Sequence, residues 1–211
     1  LSPELQKQLG VRLGALALNR YPGNRVNVLR SELAKYVQMP EGFDIMLGNG
    51  SDELITLLSV ACDVPGASIL APLPGFVMYA MSAQLQGVTF HGVPLTANFE
   101  LDEAAMLSAI ATHKPAVVYL AYPNNPTGTV VTQKAFDRFM SRLPADLVVV
   151  VDEAYIEFAS NPDCLKTGRP SDLNRPLVTL RTFSKVYGLA GLRVGYGIMP
   201  ASLAELLNRV R

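Results

Sequence analysis

Hydroxyls, an amine, glycines and a guanidinium gather in one stretch of this chain. They lie in Arg181-Thr-Phe-Ser-Lys185, Gly188-Leu-Ala-Gly191 and Arg193. Glycines allow close backbone approach, and hydroxyls with a guanidinium suit a phosphorylated ligand. The stretch is not a GxxxxGK[ST] phosphate loop. Nor is it GxGxxG, because Pro200 stands where the third glycine after Gly195-Tyr-Gly197 would fall. Lys185 reads either as a solvated surface amine or as a partly desolvated one able to form a Schiff base with a carbonyl.

Three further clusters could carry chemistry. In Ala121-Tyr-Pro-Asn-Asn-Pro-Thr-Gly128 two prolines fix φ and hold Asn125 in a rigid turn. An amide held there can donate or accept at little entropic cost, although a tight turn tolerates Asn for its backbone habits alone. Asp152 ends the most apolar run of the chain, in Val151-Asp-Glu-Ala-Tyr155. A carboxylate emerging from such a strand is costly to ionise unless a cation or a strong donor meets it. The alternative role for Asp152 is an N-cap on the following turn. Leu47-Gly-Asn-Gly-Ser-Asp-Glu53 reads as strand, Gly-rich turn and helix, whose first amides form a natural anion site. That signal is common when taken alone.

The elements that must position these clusters follow from periodicity. Strands are expected at 44–47, 67–71, 88–93, 116–120, 147–151, 177–180 and 193–199. Helices are expected at 51–62, 74–85, 101–113, 132–142 and 202–211, the first capped by Ser51 or Asp52. This β-α-β-α rhythm predicts an α/β fold of three layers, α/β/α, with a mainly parallel mixed sheet. In such sheets ligands sit at the carboxyl ends of the strands, where all four clusters fall. Residues 1–40 differ, with two helical patterns at about 2–17 and 25–38 around the turn at Tyr21-Pro22-Gly23.

Composition narrows the function classes. The 211 residues carry Lys+Arg 18 against Asp+Glu 18, a balance that argues against a nucleic-acid partner. Hydrophobic residues at 49% with 17% charged supply a real core. Cys62 and Cys164 lie too far apart in sequence for a CxxC motif, and two histidines, His91 and His113, argue against zinc. No apolar run is long enough to cross a membrane and no signal peptide is visible, so the default compartment is cytoplasmic. The chain begins at Leu1 and ends inside a helical pattern, so a fragment is expected.

Order and spacing together are more specific than any one cluster. The chain resembles the pyridoxal-phosphate aminotransferases of fold type I, and within them it looks most like the histidinol-phosphate aminotransferases. The matching segments are Asn19-Arg-Tyr-Pro22, Gly48-Asn-Gly-Ser-Asp-Glu53, Pro72 to Tyr79, Tyr122 to Gly128, Asp152 to Phe158 and Arg181 to Arg193. The resemblance implies a large cofactor domain at 41–211, preceded by an N-terminal helical segment and interface turn at 1–40. The small C-terminal domain of the family is expected to lie outside the chain.

Residue by residue, the resemblance implies these roles. Lys185 would hold the cofactor covalently and shuttle a proton. Asp152 would face the pyridine nitrogen and keep it protonated. Asn125 and Tyr155 would bond the ring 3′-oxygen, and Phe76, where many members carry Tyr, would stack on the ring. Ser51 and Asp52 amides, Thr182, Ser184 and Arg193 would form the phosphate cup. Tyr21 would reach across a homodimer interface to the partner's phosphate. The implied reaction moves an amino group between L-histidinol phosphate and 2-oxoglutarate, with a small-molecule amino donor and a 2-oxo acid as partners. Alternatives on the same scaffold are an aromatic-amino-acid aminotransferase or a threonine-phosphate decarboxylase. A non-catalytic cofactor-sensing module is a further one, although 1–18 are too short and neutral for a DNA-binding helix-turn-helix.

Overall fold

The computed structural model of the chain describes residues 1–159 and 176–211. Cys164 lies outside the described residues. Seven strands form one sheet in the order β1-β7-β6-β5-β4-β2-β3. They are β1 (Phe43–Asn49), β2 (Ser68–Leu73), β3 (Thr89–Pro94), β4 (Val117–Ala121), β5 (Val148–Asp152), β6 (Leu177–Thr182) and β7 (Val194–Pro200). The pairs from β3 to β6 are parallel, and β7 runs antiparallel to both β6 and β1. The sheet is therefore mixed and mainly parallel, as the alternation of elements predicts.

Alternation of side chains along each strand splits the core in two. Ile69, Val117, Tyr119, Val150 and Val178 point to one face. There they pack against α3 (Ser51–Ala61), α4 (Met78–Leu85) and α7 (Ala201–Val210). Leu70, Val118, Leu120, Val149 and Val151 point to the other, against α5 (Glu103–His113) and α6 (Gln133–Ser141). The central strands are apolar at almost every position because both of their faces are covered. Three layers result.

The N-terminal helices behave differently from each other. α2 (Arg25–Tyr36) docks on β1 and β7 through Leu33, and Arg30 holds Asp44 at 2.5 Å. α1 (Pro3–Gly14) buries none of its residues and leaves Leu5, Val11 and Leu13 exposed. Both helices are shorter than their sequence patterns.

Two local expectations need correction. The N-cap of α3 is Gly50, and Ser51 and Asp52 are the first residues of the helix itself. Glycine takes the position because φ is +77° there and a Cβ would stand 2.5 Å from Arg193 Nη2. α4 starts at Met78 rather than at 74: Pro74 to Val77 form the turn that leaves β2. One pairing was not read from the sequence. His91 of β3 and His113 at the end of α5 stack with ring centroids 3.8 Å apart.

Candidate active site

The carboxyl ends of β1, β2, β4, β5 and β6 deliver side chains to one cavity. From the β1–α3 turn come Gly50, Ser51 and Asp52; from the β2–α4 connection, Phe76 and Tyr79. The segment after β4 supplies Asn125, β5 and its following turn supply Asp152 and Tyr155, and the end of β6 supplies Thr182, Ser184 and Lys185. Arg193, just before β7, completes the lining. All candidate residues meet here except Tyr21, which stands in the α1–α2 connection at 99% exposure and does not line the cavity.

One end of the cavity is built to meet an anion. α3 points its N-terminus there, with free first-turn amides and the positive end of the helix dipole. The Gly50 N–H donates to the Arg193 carbonyl at 3.0 Å, which ties this turn to the start of β7. A Cβ on Gly195 would lie 2.4 Å from Ser51 N, so only glycine lets the strand approach so closely. Thr182 Oγ1 and Ser184 Oγ are 3.0 Å apart, and Arg193 Nη1 donates to Ser184 Oγ at 3.4 Å. Arg193 takes φ of +49°, a left-handed conformation uncommon outside glycine and asparagine. Its Nη2 stands 3.4 Å from Asp52 Oδ2 and 3.4 Å from the Asn49 carbonyl. A guanidinium, two hydroxyls and helix amides converge within this arrangement, the donor set a phosphate requires.

The other end holds a buried carboxylate. Asp152 is 5% exposed. Its Oδ2 accepts from the Tyr79 hydroxyl at 2.8 Å, and its Oδ1 accepts from the Ala154 N–H at 3.1 Å. The N-cap of the following 3-10 turn (Ile156–Phe158) is Tyr155, so Asp152 does not take the cap role, and its bond to Ala154 is a local turn contact. Burial pushes its carboxyl up to about 6, against the two hydrogen bonds, which favour the ionised form. A cation brought into the cavity would relieve that desolvation.

Lys185 lines the same cavity and is exposed, with Nζ 5.1 Å from the centre of the Tyr155 ring. The desolvation required by one reading of this lysine is not present. Phe76 sets its ring edge-on to Tyr79, centroids 5.6 Å apart. Tyr79 in turn stacks on Tyr119 at 4.4 Å. Sequence reasoning assigned no part to Tyr79, although it lies one helical turn beyond Phe76 inside a segment singled out above.

An amine, a buried carboxylate and an anion cup thus share one cavity at the strand ends. The family model described as "Aminotransferase class I and II" matches residues 7–211. The chain belongs to this aminotransferase family. Histidinol-phosphate aminotransferase of Polaromonas naphthalenivorans (strain CJ2) is 59% identical over 208 residues, covering 98% of this chain and 56% of the relative. That of Paracidovorax citrulli (strain AAC00-1) is 56% identical, covering 100% of this chain and 58% of the relative. The chain therefore spans little more than half the length of these curated relatives.

Solved structures of the family superpose closely. Histidinol-phosphate aminotransferase from Sinorhizobium meliloti, in complex with pyridoxal-5′-phosphate, matches with a TM-score of 0.85 at 29% identity, covering 97% of this chain and 55% of that one. The Clostridium acetobutylicum enzyme matches with a TM-score of 0.79 at 26% identity, covering 92% and 56%. No helix among the described residues is long and apolar enough to cross a membrane.

Proposed function

We propose that the chain is the cofactor-bearing part of a pyridoxal-phosphate-dependent histidinol-phosphate aminotransferase of histidine biosynthesis. The whole protein would exchange the amino group of L-histidinol phosphate with 2-oxoglutarate, giving imidazole-acetol phosphate and glutamate. One observation carries the reading: Lys185, Asp152 and the Thr182–Ser184–Arg193 cup line a single cavity at the end of α3. The residues fit the cofactor at both ends. The cup would hold a dianionic phosphate, and the buried Asp152 would hold a protonated pyridine nitrogen.

When bound, the cofactor supplies an electron sink for charge developing at the substrate α-carbon. The chain's own residues do the rest. Asp152 holds a proton at the ring nitrogen, and Asn125 and Tyr155 orient the ring through its 3′-oxygen. Phe76 supplies an apolar face for stacking, without the hydroxyl that many family members carry there. The Lys185 amine would hold the cofactor and would carry a proton to and from the substrate α-carbon. Arg193 and the α3 amides fix the phosphate, so the ring cannot drift while protons move.

Residues 41–211 form the cofactor domain in this reading, and 1–40 an interface segment. Support for the latter comes from the exposed apolar residues of α1 and the fully exposed Tyr21. Tyr21 would complete the partner's phosphate site in a homodimer, within the cytoplasm.

The test is a visible spectrum of the full-length protein with added pyridoxal phosphate beside Lys185→Ala, followed by a substrate panel. A yellow band that borohydride fixes onto Lys185 and that the variant lacks supports the cofactor reading. Preference for histidinol phosphate over aromatic amino acids, with no carbon dioxide released from threonine phosphate, supports the substrate. No band in either protein overturns the proposal.

A further inference from the structure

The most enclosed polar contact in the cavity is one that the proposed chemistry does not yet use. Tyr79 is 2% exposed and lies on α4, remote in sequence from Asp152 at the end of β5. Its hydroxyl nevertheless donates to Asp152 Oδ2 at 2.8 Å. The ring cannot swing away, because Tyr119 stacks on it with planes 9° apart and Phe76 closes its edge. The hydroxyl is therefore delivered to one carboxylate oxygen by packed aromatic rings, not by a mobile chain.

We propose that Tyr79 is a positioning residue for Asp152: its hydroxyl fixes the carboxylate plane and favours the ionised carboxylate, and so sets how tightly a protonated pyridine nitrogen is held. The inference rests on the cofactor reading above. Two physical arguments support it. First, an unaided carboxylate at this depth favours its neutral form, and a neutral acid cannot hold a proton on the ring. Second, a tyrosine donating to an anion in a dry site is held as the phenol, and burial beside Asp152 pushes the Tyr79 hydroxyl well above its ordinary value. It thus donates across the whole working range of pH.

Other groups face this pair. Glu153 and Asp52 oppose ionisation of Asp152 by like charge, and Ala154 N–H favours it. Glu153 is itself held by Arg181, and Lys185 and Arg193 line the same cavity. The Tyr119 hydroxyl donates to the Ile55 carbonyl at 3.4 Å, which leaves Tyr79, among the described residues, as the side chain donating to Asp152.

Tyr79→Phe in the full-length protein tests the inference, with Asp152→Asn and the double variant as a cycle. Wild-type binding of pyridoxal phosphate is established first. Its absence overturns the cofactor reading, and this inference falls with it. In the cofactor-free protein, the Asp152 carboxyl signal from 13C-labelled aspartate is then titrated. Tyr79→Phe is expected to raise the midpoint by about one pH unit and, through the smaller ionised fraction, to weaken pyridoxal-phosphate binding roughly fivefold at about pH 6. The affinity loss is expected to shrink to less than twofold in the Asp152→Asn background. An unmoved midpoint, or an equal loss in both backgrounds, overturns the positioning role while leaving the cofactor reading intact.

Discussion

Arg181 grips the buried Glu153 through Nη2 at 2.7 Å and Nε at 2.8 Å, both to the same oxygen. Glu153 follows directly on Asp152, and its side chain has no solvent exposure. The pair therefore fixes the strand end that delivers the carboxylate to the cavity. Removing the guanidinium takes both of these contacts from a buried carboxylate. Arg181→Met is expected to cost about 3–5 kcal/mol in unfolding free energy. Adding Glu153→Leu is expected to recover much of that loss, because the buried charge is then gone too. Denaturant unfolding of the two variants checks this, and a double variant as unstable as the single one refutes it.

Asp152 makes stability depend on pH in the cofactor-free protein. Burial raises its carboxyl to about 6 from 3.8, so the folded chain binds this proton more tightly than the unfolded chain. Protonation therefore stabilises the fold below about pH 4, and that stabilisation is lost as pH rises through about 6. The full span is on the order of 3 kcal/mol. Asp152→Asn is expected to unfold at a higher temperature than wild type at about pH 8 and at a similar temperature near pH 4. Thermal melts across that range measure it, and a difference independent of pH contradicts it.

The sheet and its alternation of helices were legible because the strands are apolar on both faces and the helices carry a 3.6-residue period. The candidate cavity was legible for a different reason: rigid turns at strand ends place Asn125, Asp152 and Lys185 whatever the distant packing does. What escaped was set by contacts remote in sequence. The N-cap of α3 could not be placed at Gly50 without knowing that Arg193 passes 2.5 Å from where its Cβ would be. Tyr79 escaped because helix periodicity marks it only as a core residue. Two rules did point to it: a buried tyrosine needs a partner for its hydroxyl, and Asp152 needed a strong donor. Lys185 is the reverse case, since its exposure follows from how the loop after β6 lies and not from residue type.

Gly50 carries a prediction about backbone. Its φ of +77° and ψ of 171° lie where essentially only glycine is found. Gly50→Ala is expected to lose about 1–3 kcal/mol of stability and to push the Arg193 guanidinium out of the cup. Pyridoxal-phosphate affinity is expected to fall with it, while unphosphorylated pyridoxal binds as before. Calorimetric melts and fluorescence titrations with both ligands separate the two effects. Unchanged stability would contradict the close approach.

Arg193 itself offers the sharpest test of the anion cup. It is exposed to solvent at its head, contacts Asp52 at 3.4 Å and has the left-handed backbone that aims it across the α3 terminus. A guanidinium that both neutralises and hydrogen-bonds a phosphate contributes more than a surface pair does, because the helix amides and hydroxyls fix the ligand beside it. Arg193→Ala is expected to weaken pyridoxal-phosphate binding about 10- to 100-fold and to leave pyridoxal binding within about twofold. Arg193→Lys is expected to recover only part of the loss, since an ammonium keeps the charge but not the planar fork. Binding measured at two salt concentrations adds a further criterion. The wild-type advantage for the phosphorylated ligand is expected to fall as salt rises, and Arg193→Ala is expected to flatten that dependence. If both ligands weaken equally, Arg193 is holding the β1–α3 turn and the β7 entry together, and the phosphate belongs elsewhere.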